Sequence, residues 1–118
     1  MKLIIKNNIF NVKLSFKPDS IKKGMMGQKF NDEFNGMLFL MRENNIQCFW
    51  TYNCIIPLDI IMINDNVITK IHHNCPPCID ENECLSYCGE GDKVLEVLGG
   101  TCKSLNIKKG DMVTLHSY

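Results

Sequence analysis

The stretch from Phe49 to Ile63, FWTYNCIIPLDIIMI, constrains this chain more than any other. From Ile55 onward it is apolar except for Asp59, and β-branched residues dominate it. A short isoleucine-rich run of this kind is expected to form a strand buried on both faces. Pro57 has no N–H to give to a ladder, so it belongs at a strand start, an edge or a bulge. Alternation puts Pro57, Asp59, Ile61 and Ile63 on one face and Ile56, Leu58, Ile60 and Met62 on the other. Asp59 then sits among apolar neighbours, where a carboxylate must be paired, hydrogen-bonded or protonated. Two readings stay open: a cap on backbone N–H groups where the chain bends around Pro57, or a site carboxylate in a pocket.

The rest of the chain reads as strands and turns around this run. KLIIK, Asn7-Asn8 and IFNVKLSF predict a β-hairpin turning at the two asparagines, with Val12, Leu14 and Phe16 on its buried face. Pro18-Asp19-Ser20 stops the strand and starts a helix to about Met26, with Asp19 or Ser20 as N-cap and Gly27 as its left-handed end. GMMG between lysines is too short to stand as a nucleic-acid-binding GXXG clamp, and Met25 and Met26 read as core. Gly36–Met41 and Ile46–Tyr52 predict two strands separated by a polar turn at Arg42–Asn45. Ile55–His72 predicts a hairpin through Asn64-Asp65-Asn66. Lys93–Leu98 predicts a strand, Thr101–Leu105 a short helix capped by Thr101, and Met112–His116 a last strand after a turn at Lys108–Asp111.

The segment from His72 to Asp92 reads as a long loop, and long loops in small domains are often functional. It carries Cys75, Cys78, Cys84 and Cys88 in the spacing C-x2-C-x5-C-x3-C. Such thiols can hold Zn²⁺, yet Pro76 and Pro77 stiffen the first pair and the spacing is not that of a zinc ribbon. Three readings stay open: a structural metal site, a disulfide or redox pair such as Cys78 with Cys84, and plain thiols in an ordered loop.

Several motifs together resemble one family. FW at Phe49-Trp50, Asn53, IPLDII at Ile56–Ile61, GMMG at Gly24–Gly27, GMLF at Gly36–Phe39, Asn74–Pro77, VLEV at Val94–Val97, GGT at Gly99–Thr101 and NIKKGDMV at Asn106–Val113 occur in the order seen in the domain of unknown function 192 family. The resemblance runs from about Val12 to Val113. It implies a compact, mostly β, barrel-like domain and no established activity. The sequence departs from the pattern after the tryptophan. Relatives commonly have Met-Lys-Asn-Thr there, whereas this chain has Thr51, Tyr52, Asn53 and Cys54. Any charge role of the family's lysine near the aspartate is therefore absent at Tyr52.

At 118 residues, 45% hydrophobic and 22% charged, the chain is of ordinary globular composition. It is read as one domain, 1–118, able to bury roughly 65% of its unfolded surface. Zero net charge hides an uneven distribution: +6 over residues 1–29, −8 over 30–98 and +2 over 99–118. A nucleic-acid binder usually has a net basic domain, so that partner is not expected. The N-terminus has no signal-peptide h-region and no run suffices for a membrane span, so a cytoplasmic location with mostly reduced cysteines is expected.

The expected fold is mostly β: a small barrel-like or strongly coiled antiparallel or mixed sheet of seven or eight strands, with two short helices. The leading functional expectation is a small-molecule or partner-binding accessory module. Its pocket would lie where Trp50, Asn53 and Asp59 approach His72 and Asn74. One alternative is a metal- or redox-active module using Cys75, Cys78, Cys84 and Cys88. Another is an enzyme centred on Asp59 with His72 or His73 as second polar group.

Overall fold

A computed structural model describes residues 1–117. Among these, seven strands and two short helices run in the order β1 (Lys2–Ile5), β2 (Asn8–Ser15), α1 (Pro18–Lys23), β3 (Gly36–Phe49), β4 (Leu58–Asn64), β5 (Val67–Cys75), β6 (Tyr87–Leu98), α2 (Thr101–Ser104) and β7 (Val113–His116). Both hairpins form on paired residues with positive φ, the requirement of the tight turn that matches strand twist. In β4–β5 these are Asp65 and Asn66; in β1–β2 they are Lys6 and Asn7, one residue earlier than Asn7-Asn8.

The strands make one mixed sheet in the order β5-β4-β6-β3-β2-β1-β7, with β2 and β3 parallel and every other pair antiparallel. The sheet curls into a half-barrel. Its two outer strands meet through a bridge between Val67 and Met112. There Ile68 N donates to Asp111 O and Val113 N to Asn66 O. The edges are thus partly satisfied by each other, which removes part of the exposed ladder that edge strands carry.

β4 is the central fact of the fold. Leu58 through Ile63 are all fully buried, as a strand covered on both faces must be. Ile61 and Ile63 pack with Leu3, Ile5, Leu38, Leu95 and Val97 on the face closed by β1, β7 and α2. Leu58, Ile60 and Met62 pack with Met25, Phe39, Cys75 and Val94 on the opposite face. Each such side chain contributes roughly 1.5–3 kcal/mol on leaving water. Gly91 lets β6 pass the end of β4, because a Cβ there would lie 2.7 Å from the Ile63 carbonyl oxygen.

The structure departs from the sequence reading in five further places. Gly36–Phe49 is one strand, not two: the polar residues 42–45 form an exposed irregularity in the β3–β6 pairing between Leu40 and Asn45. Leu14 and Phe16 are exposed: Phe10 and Val12 are the buried residues of that alternation, and Phe16 lies beyond the end of β2. α1 stops at Lys23, with Gly24 at φ 46° as its C-cap and no side-chain cap at its start. The expected long loop shrinks to residues 76–86, since β5 and β6 extend into both of its ends. Thr101 does not cap α2; Gly100 holds the N-cap position without a side-chain hydrogen bond. Among the described residues no helix is long and apolar enough to cross a membrane.

Candidate functional site

Alternation along β4 and β6 sends two acids to opposite faces of the sheet, and the two meet different fates. Asp59 pairs with Val97 and sits on the α2 side. It is fully buried. Its Oδ1 accepts the N–H groups of Asn74 (2.7 Å) and Gly100 (3.1 Å), and its Oδ2 accepts that of Cys102 (2.8 Å). Asp59 therefore supplies, from a distant strand, the cap that α2 lacks locally. Of its two sequence readings this is the capping one, but the capped groups lie at α2 and at the end of β5 rather than around Pro57. Burial, and then the neighbouring Asp59, raise the Cys102 thiol well above its ordinary value.

Glu96 lies one residue before Val97, between Met37 of β3 and Ile60 of β4, and faces the other way. It is 2% exposed. Among the described residues no ion pair and no hydrogen bond reaches its carboxyl, and its oxygens are not sealed, since no fully buried side-chain oxygen or nitrogen there lacks a partner. Burial pushes it from 4.5 up to about 8, so at neutral pH it carries its proton. What it faces is a cavity of about 150 Å³ walled by Met25, Phe39, Trp50, Tyr52 and Cys54, with Lys22 and Lys23 at the margin. Trp50 and Tyr52 sit with ring centroids 5.0 Å apart, and Phe39 meets Phe49 edge-on at 4.9 Å.

The wall is held from behind by the 76–86 loop. Thr51 Oγ1 donates to Pro76 O at 2.6 Å, Asn53 N to Cys78 O, and Cys78 N to Thr51 O. Tyr52 and Cys78 form a parallel bridge. A disulfide between Cys78 and Cys84 closes the loop on itself. A second, Cys48–Cys88, joins paired residues of β3 and β6. Cys78–Cys84 is the pair that one of the open readings names, whereas the Cys48–Cys88 bond departs from the mostly reduced cysteines expected from the sequence. Register explains the difference, since residues directly opposite on antiparallel strands bring their Cβ atoms together.

The remaining thiols are quiet. Burial, and secondarily Glu96, lift Cys54 to about 12. Burial lifts Cys75 to about 11, Asp59 and Glu96 adding to the rise while a hydrogen bond with Tyr87 opposes it. Thiolate is the nucleophile and the metal ligand, so neither sulfur is activated near neutral pH.

Of the five residues expected to bind a ligand, the structure brings only Trp50 to this cavity. Asn53 is exposed, with φ 56°, and works through its backbone. Asp59 is on the opposite face. His72 Nε2 lies 2.8 Å from Cys88 O, and its ring meets Tyr87 edge-on. Asn74 serves Asp59 through its N–H. Neither His72 nor His73 is among the partners of Asp59. The four cysteines considered as zinc ligands are dispersed: Cys78 bonds Cys84, Cys88 bonds Cys48, and Cys75 is buried and free. Among the described residues no three His, Cys, Asp or Glu side chains converge on a possible metal position. Tyr52, at the place of the missing lysine, lines the Glu96 cavity rather than neighbouring Asp59. Glu96, a lone acid in the apolar VLEVL strand, carries the same sequence signal as Asp59.

The chain matches the model of the family DUF192, "Uncharacterized ACR", over residues 1–115. It belongs to that family. A solved protein of unknown function from Novosphingobium aromaticivorans shares 31% identity, covering 97% of this chain and 84% of its own, with a TM-score of 0.84. A second, from Sinorhizobium meliloti and described as a "putative transcription regulator", shares 28% identity over 96% and 89%, with a TM-score of 0.83. No curated protein matches the sequence. This DUF192 chain thus shares the mostly β half-barrel with both neighbours.

Proposed function

We propose that this DUF192 chain is a small-molecule-binding module and that its ligand sits over Glu96. One observation carries the reading: a carboxyl inside the sheet, with no protein partner and its oxygens open to the cavity, faces aromatic and methionine side chains. Burial disfavours the charged form of this carboxyl, and a ligand bearing a hydrogen-bond donor would meet the oxygens that the cavity leaves open. A volume of about 150 Å³ suits a compact molecule of roughly benzene size. An amine with an apolar body fits best, because an ammonium group would draw the proton off Glu96 and pair with the resulting carboxylate. The Trp50 and Tyr52 rings supply flat apolar area and favour a cation beside them. The proposal includes the cytoplasmic location expected from the sequence.

Cyclohexylamine, followed by the fluorescence of Trp50, tests this. Saturable binding should strengthen as pH rises toward 8, and Glu96→Gln should weaken it roughly ten- to a hundred-fold. Equal binding by the variant, or a Trp50 signal indifferent to the amine, would sink the proposal.

A second reading rests on the Cys78–Cys84 disulfide, which closes the loop that braces Thr51–Asn53. In it the loop is a redox clip: reduction frees Cys78 and loosens the cavity wall. Amine affinity unchanged by reduction would dismiss it.

A further inference from the structure

Residues 99–118 carry a net charge of +2, and Lys70 lies on β5. The fold gathers the lysines. A cavity of about 460 Å³ opens between β5 and the segment after α2, and Lys70, His73, Lys103, Lys108 and Lys109 line it. Its floor is apolar, built from Ile71, Ile107 and Cys102, the last two buried. All of these floor residues belong to the core on the Asp59 face, so the cavity lies across the sheet from Glu96.

No carboxylate lines this cavity. Among the described residues none of its four lysines makes an ion pair or a side-chain hydrogen bond. The nearby acids are already engaged. Asp111 accepts Lys108 N at 2.8 Å and pairs with Lys6 at 3.4 Å. Glu90, in the adjoining depression beyond Lys70 and Lys109, accepts the side-chain amide of Asn44. Four cations around one concavity repel each other at separations below the Debye length of about 10 Å. All four are exposed.

We infer that this cavity is a binding site for a small, multiply charged anion with an apolar body, the chemistry of a phosphorylated metabolite. The lysines meet the phosphate as point charges, and the isoleucine floor meets the body. The volume falls within the roughly 300–1,000 Å³ of small-molecule sites, and a concave shape with an apolar floor favours a compact ligand over a polymer lying on a convex basic surface. The inference does not depend on the Glu96 reading.

The probe is 1-naphthyl phosphate, followed by amide chemical shifts of the full chain. The expected result is one saturable site, with shifts concentrated at Lys70–His73 and Asn106–Lys109. Lys103→Glu and Lys109→Glu are exposed changes that leave the core intact, and each should weaken binding about ten-fold. Added salt should weaken it as well. Absence of saturation at millimolar probe would overturn the inference. So would shifts scattered over lysines elsewhere, such as Lys13 or Lys22, or affinity indifferent to both charge reversals.

Discussion

Replacing Glu96 by glutamine removes a charge and keeps the shape, so it isolates what the buried acid does to stability. In the folded chain the carboxyl holds its proton up to about pH 8, whereas unfolded it releases the proton near 4.5. Between those values the folded state binds more protons than the unfolded state, so stability falls as pH rises through the window and is level outside it. At about 1.4 kcal/mol per pH unit the full window amounts to about 5 kcal/mol, of which about 3 has been lost by pH 7. Glu96→Gln carries no such dependence. The two proteins should be matched near pH 4.5, and the variant should be ahead by about 3 kcal/mol at pH 7. An unsatisfied amide would take back about 1 kcal/mol of that. Urea unfolding of both proteins at several pH values measures it, and the difference between the two curves cancels every other titrating group. Parallel curves would refute the reasoning, since they would mean that Glu96 finds a partner or solvent in the folded chain. An added amine ligand should narrow the gap, by stabilising the wild type more than the variant.

Asp59→Ala strands three backbone donors and should lower stability by about 3–5 kcal/mol, with the loss of α2 visible in amide exchange at Cys102. The two disulfides should differ in weight. Opening Cys48–Cys88, which closes 40 residues of chain, should cost about 4 kcal/mol, and opening Cys78–Cys84, separated by 6, about 2 kcal/mol, by loop-closure entropy; serine variants melted in denaturant would show the order, and the reverse order would contradict the pairing. Cys54, Cys75 and Cys102 are buried and free, so they should resist a thiol reagent at neutral pH and react together on unfolding. Rapid modification of any of them in the native protein would show that its surroundings open.

Local chemistry alone determined a good deal. An isoleucine run with a leading proline dictates a buried strand. Asp65-Asn66 dictates a tight turn. A lone acid inside such a strand demands a partner, and the motif order marks the DUF192 family. These follow from the chain itself because periodicity, φ preference and desolvation act within a few residues. The partners could not be read, because they come from far along the chain. Asp59 needed Gly100 and Cys102, more than 40 residues away. Cys48 needed the register that sets it opposite Cys88. Leu14 and Phe16 alternate as core residues do, yet both are exposed, Phe16 past the end of β2. Glu96 and Asp59 give the same sequence signal. Only the curl of the sheet, which seats α2 against one face and leaves a small cavity on the other, gives one acid three donors and leaves the other with none.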